Sequence, residues 1–480
     1  MKAANEKTAY LELADDLQQL IQSGSLRVGD RMPSIRQLAH DKHVSITTIQ
    51  SAYEVLENRG FVEARPRSGY YVRPRVPASN RLPAQPESSR KLSTVERPDL
   101  FDEVFAAVNN PDIVPLGCAV PYDGFYPTAK LASLSNKAFR DHGASALRYS
   151  LSPGRIELRK QVSKRMLRSG ATVSPDEIII TSGATEAITI ALSTCCKPGD
   201  LVAVEAPTFF GILRIIESLR LKVIEIPVCP INGIDIDVLD EISDKHPIKA
   251  CVVQPNFQNP TSSVIPHESR NRLVKLAQQR DFTLIEDDLY GDLTFDNDRP
   301  TSLLAHAGGE NVIHCGGVSK TLSPGLRVGW LASRSGHAEM TAIKNISFTS
   351  NPTVSELVVA SFLADGGYDR HLRRIRQRYQ SQVLQMRESI FKNFPEGTRV
   401  NSPRGSFVLW VQLPLQVDCE RVAHEAMSRG ISITPGSIYS ASKSLTNYLR
   451  INSGYPMDER IRQAIRTVGK LCQQQLDEKA

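Results

Sequence analysis

The sequence predicts a multidomain chain: a small α+β unit at the N-terminus, then a large α/β unit with a mainly parallel sheet and a smaller C-terminal α/β subdomain. Three observations predict it. Residues 7–75 pair helical apolar periodicity with a short strand–turn–strand pattern. Residues 76–99 are rich in Pro, Ser and Arg and almost lack bulky apolar side chains. Such a stretch buries too little surface to offset its ordering entropy, so it reads as a flexible linker. Residues 100–475 alternate short Val- and Ile-rich runs with longer helical patterns. A length of 480 residues agrees, being too great for one small core.

In the first unit, Tyr10, Leu13, Leu17, Leu20 and Ile21 fall on one face of a helix that Ser23-Gly24 closes. Ser34 caps a short helix over 35–41. Ser45 caps another over 46–58, and Gly60 stops it. Two short helices with a brief connection form a helix-turn-helix pattern, whose second helix suits a major groove. The text FVEARPRSGYYV, residues 61–72, then reads strand, turn, strand, with Ser68-Gly69 at the turn. Arginines 59, 65, 67, 73 and 75 face one acid, Glu63, where such a wing would meet phosphates.

Residues 10–72 resemble the winged helix-turn-helix of GntR-type bacterial regulators. The resemblance rests on Pro33-Ser34-x-Arg36-x-Leu38-Ala39, Val44-Ser45-x-Thr47-Thr48, Ala52-Tyr53-x-x-Leu56-Glu57-x-x-Gly60 and Ser68-Gly69. It implies a double-stranded DNA operator as partner. The expected interface is Ser34, Arg36, Ser45, Thr47, Thr48, Gln50, Arg65, Arg67 and Gly69. Ile46 stands where that family commonly has Arg or Lys, which alters base readout, and Gln50 is able to pair with adenine.

In the large unit, DEIIIT, LVAVE, KVIEIPV, IKACVVQ, FTLIEDD, NVIHCGG and VGWLAS are the expected strands, and ESRNRLVKLAQQRD typifies the helices between them. Hydrophobic and charged shares of 41% and 23% place the chain among globular proteins soluble in water. The sequence has no run of about 18 apolar residues, so no membrane span is expected. The first residues carry acids and no apolar signal core, so a cytoplasmic location is expected. Cysteines 118, 195, 196, 229, 251, 315, 419 and 472 form no CxxC pair and read as reduced thiols, not a disulfide frame or a metal site. A net charge of +6 permits nucleic acid without identifying it.

Lys320 follows the run NVIHCGG inside GGVSKTLSPGLRVGW, a loop too rich in glycine for an ordinary solvated face. A lysine that captures an aldehyde needs a desolvated pocket, which keeps its amine nucleophilic. Pyridoxal 5′-phosphate would further need a carboxylate at its ring nitrogen, donors at its phenolic oxygen, an aromatic face and a phosphate cup. Each has a counterpart at a strand end. Asp287 in LIEDDLYGDL supplies the carboxylate. Tyr290 and Asn259 supply donors, and Phe209 in EAPTFFGI supplies the face. Ser182, Gly183, Ala184 and Thr185 open a helix whose N–H groups suit a phosphate, and Arg327 completes the cup.

From Leu116 to about Gln473 the chain resembles a class I, fold-type I aminotransferase, on TSGATEAI, EAPTFFG, NFQNPTS, EDDLY, SKTLSPGLRVGW and YLRINSGY. The resemblance implies that Lys320 carries the cofactor as an aldimine and shuttles protons, with Ser319 beside it in the cofactor site. It implies that Arg450, with Asn259, binds a substrate or effector carboxylate, and that Tyr149 reaches the phosphate of a neighbouring subunit. Gly317 and Ser262 depart from the usual Ser and Gly, and Tyr439 is expected near the substrate entrance. Taken whole, the chain resembles the MocR subfamily of regulators, which implies a homodimer and a small amino compound as effector. A regulator that senses through Lys320 and a working aminotransferase that also binds DNA both remain open on these residues.

Overall fold

The computed structural model describes residues 2–22, 25–26, 30–58, 61–65, 68–72, 82–86, 92–93, 104, 107–296 and 298–479. The chain divides into two compact units, 1–78 and 79–480.

The first unit holds α1 (Lys2–Gln22), α2 (Ile35–Lys42) and α3 (Ile46–Asn58), then β1 (Val62–Arg65) and β2 (Gly69–Val72). The Ser34 hydroxyl accepts the Gln37 N–H at 3.2 Å, and the Ser45 hydroxyl accepts the Thr48 N–H at 3.1 Å. Both capping serines therefore start their helices as the sequence leads one to expect. Between them His43 takes the left-handed conformation, φ 54°, and turns the chain sharply. Leu13, Ala14, Leu17, Leu38, Ile49, Tyr53 and Leu56 form the core, closed by Phe61, Val62 and Val72 of the hairpin. Leu20 differs from expectation and is 45% exposed. The buried stripe of α1 centres on Ala14 and Leu17, and Leu20 falls at its margin in the last turn. The Tyr53 hydroxyl ties α3 to the Pro33 carbonyl at 2.7 Å, and Glu57 accepts the Ala64 N–H at 3.0 Å, which fixes the wing on α3.

In the large unit, the expected runs appear as β3 (Ile178–Thr181), β4 (Leu201–Ala206), β5 (Lys222–Cys229), β7 (Ile248–Val253), β8 (Thr283–Asp287), β9 (Val312–Gly317) and β10 (Gly329–Ala332). With β6 (Gly233–Ile234) they make an eight-stranded sheet in the order β3-β10-β9-β8-β7-β4-β5-β6. The pairs β4/β5, β4/β7, β7/β8 and β8/β9 are parallel, whereas β10 and β6 run antiparallel to their neighbours. Alternate residues of each strand enter different cores. Ile178 and Ile180 join one, Ile179 the other, and Leu284 and Ile285 divide likewise. Helices cover both faces, which is why these strands read as continuous apolar runs.

A second sheet orders β11 (Arg399–Val400), β12 (Val408–Gln412), β14 (Tyr448–Asn452) and β13 (Thr434–Pro435), all pairs antiparallel. It shares a core with the long helices Gly367–Asn393 and Glu459–Asp477, and forms the C-terminal subdomain. No helix among the described residues is long and apolar enough to cross a membrane.

The span read as a flexible linker is partly fastened to the large unit. Pro83 is buried, the Ala84 N–H donates to Gln412 Oε1 at 2.8 Å, and Ser93 exchanges two backbone hydrogen bonds with Val223, each 3.1 Å. Hydrogen bonds of main-chain groups leave no trace in residue composition.

Candidate functional site

The carboxyl ends of β3, β4, β7, β8 and β9 gather the expected pocket residues, as open α/β sheets do. Lys320 lies in the loop after β9 and donates to the Ala119 carbonyl at 2.6 Å. Burial, with Arg450 beside it, lowers its amine to about 8. Such a group is neutral in a useful fraction near neutral pH, as capture of an aldehyde requires.

Three consecutive acids stand at and just beyond the end of β8, and alternation separates them. Asp287 faces the pocket and accepts from the Gln254 side chain. Glu286 and Asp288 serve other partners: Glu286 meets His314 at 3.0 Å, and Asp288 meets Arg299 at 2.5 Å and Asn256 at 2.9 Å. Burial pushes Asp287 up to about 6, and neighbouring Asp288 adds to the rise. Gln254 also accepts the Asn259 N–H at 2.9 Å, so one side chain orients both cofactor candidates.

The phosphate-cup candidates stand around the start of α4 (Ala184–Cys195). Gly183 has φ +104°, a conformation that side chains avoid, and a Cβ there would lie 3.0 Å from Arg327 Nη2. A Cβ on Gly329 would meet the Gly183 carbonyl carbon at 2.5 Å. Glycines on both sides thus let backbone, Arg327 and helix terminus come together. Arg327 donates to the Ser182 carbonyl, and the Ser182 hydroxyl reaches Asn351 Oδ1 at 3.2 Å. Glu186 in the first turn of α4 would repel an anion, but buried Lys344 pairs with it at 2.7 Å. Thr185 is exposed and Ser319 buried. Phe209 packs on Phe210 at 4.7 Å between ring centres, and Tyr149 is 78% exposed.

Arg450, on β14, is buried and donates to the Gly117 carbonyl and, at 3.4 Å, to Asn259 Oδ1. Tyr439 is fully buried instead of lining an entrance, and its ring centre lies 5.6 Å from the Arg450 guanidinium. Phe210 and Trp410 both pack edge-on against it, at 5.4 and 5.6 Å between ring centres.

Three buried polar atoms decide whether pyridoxal 5′-phosphate suits this pocket. Asp287 Oδ1, the Tyr290 hydroxyl and Arg450 Nε have no hydrogen-bond partner among the described residues. Buried polar groups are ordinarily satisfied, and these three belong to side chains that act electrostatically on Lys320 or on one another, so one ligand there would satisfy them together. An acceptor, a phenol and a guanidinium beside an aldehyde-capturing lysine are complementary to a pyridinium N–H, a phenolic oxygen and an amino-acid carboxylate. The residues fit.

Gln254, Lys344 and the Ala119 carbonyl join the site beyond the residues expected from sequence. Gln254 closes the run IKACVVQ, and a polar side chain ending an apolar strand is its signal in the sequence. Lys344 lies 158 residues from Glu186, and no local pattern links them.

In the first unit, Arg36, Ser45, Thr47 and Gln50 are exposed around α2 and α3, with Thr48 half-buried. The Ser45 hydroxyl lies 2.7 Å from those of both Thr47 and Thr48, so the three hydroxyls form one cluster at the start of α3. Ile46 beside them is 49% exposed. Gly69 opens β2 with φ +100° and is exposed. Arg59, Gly60, Arg67, Arg73 and Arg75 lie outside the described residues, as do Ser23-Gly24 and the Arg65 side chain.

Comparisons with known proteins follow this division. Residues 113–468 match the family Aminotransferase class I and II, and residues 9–72 match Bacterial regulatory proteins, gntR family. The HTH-type transcriptional regulator YjiR of Escherichia coli K12 is 36% identical over 470 residues, covering 96% of this chain and 98% of its own. YdcR, an HTH-type transcriptional regulator of the same organism, is 33% identical, covering 97% and 99%. Among solved structures, LysN of Thermus thermophilus, an alpha-aminoadipate aminotransferase complexed with N-(5′-phosphopyridoxyl)-L-leucine, superimposes with a TM-score of 0.73. It is 25% identical, and the match covers 80% of this chain and 96% of that one.

Proposed function

Because the chain belongs to the aminotransferase class I and II family and carries a gntR-type domain in the MocR-type arrangement, we propose that it is a transcriptional regulator whose large unit senses a small amino compound. The observation that carries this reading is the set of unpartnered polar atoms around Lys320, held in the same chain as an exposed recognition helix. Lys320, Asp287, Tyr290, Asn259, Phe209, Ser319 and the Ser182–Thr185 turn with Arg327 would hold pyridoxal 5′-phosphate. Bound there, the cofactor supplies an aldehyde that captures primary amines and a ring that accepts charge from the amine's α-carbon.

The protein's own groups do the rest. Asp287 keeps a proton on a ring nitrogen, and Gln254 holds Asp287 in place. Arg450 binds the carboxylate of the incoming compound, and Asn259 steadies Arg450. Lys320 Nζ holds or releases a proton near neutral pH. A homodimer of cytoplasmic location is part of the proposal. Its support is an exposed apolar stretch, Leu147 at 74%, Tyr149 at 78% and Leu151 at 60%, which a partner subunit would cover. Two reader units on a dimer would meet two half-sites of a double-stranded DNA operator. An effector shifts them only if it binds one arrangement more tightly than the other.

A second reading is favoured by the same retained set, Lys320, Asp287, Tyr290, Asn259, Arg327 and Arg450: an aminotransferase that also binds DNA. Visible spectra of the cofactor-loaded protein during addition of single amino acids, without keto acid, separate the two. A persistent shifted band supports the sensor. Bleaching to a pyridoxamine-like spectrum that a keto acid reverses overturns it in favour of the enzyme.

A further inference from the structure

Arg450 and Tyr448 stand two residues apart on β14, so their side chains share one face of the four-stranded sheet. Their cross-strand partners on β12 are Trp410 and Gln412. From Arg450 the aromatic rings run outward without a gap. Tyr439 lies 5.6 Å from the guanidinium, Trp410 meets Tyr439 edge-on at 5.6 Å, and Tyr448 stacks on Trp410 at 5.1 Å. The row ends on the connection between the two units. The Tyr448 hydroxyl lies 3.5 Å from the Ala84 carbonyl, and Gln412 accepts the Ala84 N–H at 2.8 Å. Pro83 beside it is buried.

Residues 73–81 lie outside the described residues, so residues 82–86 are the first described attachment of the connection to the large unit. Further along, Ser93 adds to β5 through Val223. The connection therefore meets the four-stranded sheet at residues 82–86, where Gln85 also reaches Asp235 just after β6, and the eight-stranded sheet again at Ser93. The first of these attachments is slight. Among the described residues it has one hydrogen bond of 2.8 Å and two of 3.5 Å, the third from Gln85 Nε2 to Asp235 Oδ2, and Ala84 and Gln85 are exposed, so modest net energy holds it beyond the burial of Pro83.

We infer that residues 82–86 form a strap whose docking on Gln412 and Tyr448 is governed by what Arg450 holds, so that a carboxylate in the pocket is reported to the reader unit through the connection. The inference rests on the proposed amine-sensing pocket. Its physical basis is close packing: Arg450 has an unpartnered Nε, and a carboxylate that draws the guanidinium leaves Tyr439 and then Trp410 and Tyr448 no independent place to go. By linkage, pocket occupancy and strap docking alter one another by the same factor.

Hydrogen exchange at the Ala84 amide tests it in the full-length protein. One sample is loaded with pyridoxamine phosphate, the other with N-(5′-phosphopyridoxyl)-L-alanine, which adds a carboxylate. The expected result is a change of at least about fivefold in the Ala84 exchange rate between the loadings. That response should vanish in Tyr448→Leu, which breaks the row. Gln412→Ala should speed exchange at Ala84 in both loadings, which verifies that the amide reports docking. Equal rates for the two loadings in the unaltered protein overturn the strap. Failure of the protein to retain either phosphopyridoxyl compound, seen as loss of its near-ultraviolet absorbance after gel filtration, overturns the pocket reading itself and the strap with it.

Discussion

The pocket around Lys320 and the surface around α3 both carry ligand-binding side chains, yet they are prepared in opposite ways. Asp287, Asn259 and Arg450 are at most 4% exposed, and each is held by a second buried group. Arg36, Ser45, Thr47 and Gln50 lie in the open. A small ligand gains most from a dry site whose dipoles are already fixed, because no reorganisation accompanies binding. A DNA reader needs donors that stay hydrated until a groove replaces the water. Damage to the pocket should therefore be all-or-none, and damage to the reader graded.

The largest effect is expected from Lys320→Ala, which should abolish the yellow absorbance of the loaded protein while leaving its fold, by circular dichroism, unchanged. A variant that stays yellow would remove Lys320 from its role. Asp287→Ala should loosen the cofactor by about 2–4 kcal/mol, the scale for deleting one partner of a buried charged pair. Equilibrium dialysis against pyridoxal phosphate measures it, and an unchanged Kd would break the contrast drawn above.

A pH series sharpens it further. With its amine lowered to about 8, Lys320 should take up the aldehyde about tenfold faster per pH unit up to pH 8, then level off. Stopped-flow absorbance on the cofactor-free protein follows this, and a rise that continues toward pH 10 would contradict the desolvated pocket. The sign for stability follows from the same shift. Folding disfavours protonated Lys320, so its cost is full below about pH 8 and fades as the pH approaches the ordinary 10.5.

On the reader, Arg36→Ala and Thr48→Ala should each weaken operator binding by about 1–2 kcal/mol with cofactor absorbance unaltered. Fluorescence anisotropy on labelled operator decides it; two variants that bind as the unaltered protein does would refute the assigned surface. The smallest effect is expected from Ser34→Ala, about 1 kcal/mol off the stability of the first unit through loss of the cap on α2. An unchanged urea midpoint for that unit would show that α2 does not depend on its cap.

What was legible in the sequence divides along similar lines. Helix caps, turn glycines and Val- and Ile-rich runs are local, and the seven expected strands and both capping serines appear where local chemistry puts them. Lys320, Asp287 and Tyr290 could be singled out because each lies just beyond or at a strand end, where a sheet presents its ligands. The groups that hold them could not. Lys344 neutralises Glu186 from far along the chain, and Ala119 meets Lys320 by backbone alone. Docking of residues 82–86 escaped for the same reason: a main-chain amide on Gln412 has no signature in side-chain composition.

The pleat of β8 carries one more consequence. Glu286, Asp287 and Asp288 are chemically near-equivalent neighbours, and only alternation assigns the middle one to the ligand and the outer two to His314 and Arg299. Substitution among the three acids would leave composition, net charge and strand propensity almost untouched. Insertion or deletion of a single residue ahead of them would exchange their duties wholesale, since a one-residue slip turns every side chain to the other face. Residue count ahead of the acids, as well as their identity, thus decides which of them meets the ligand. An engineer seeking to retune this pocket should keep the count here fixed.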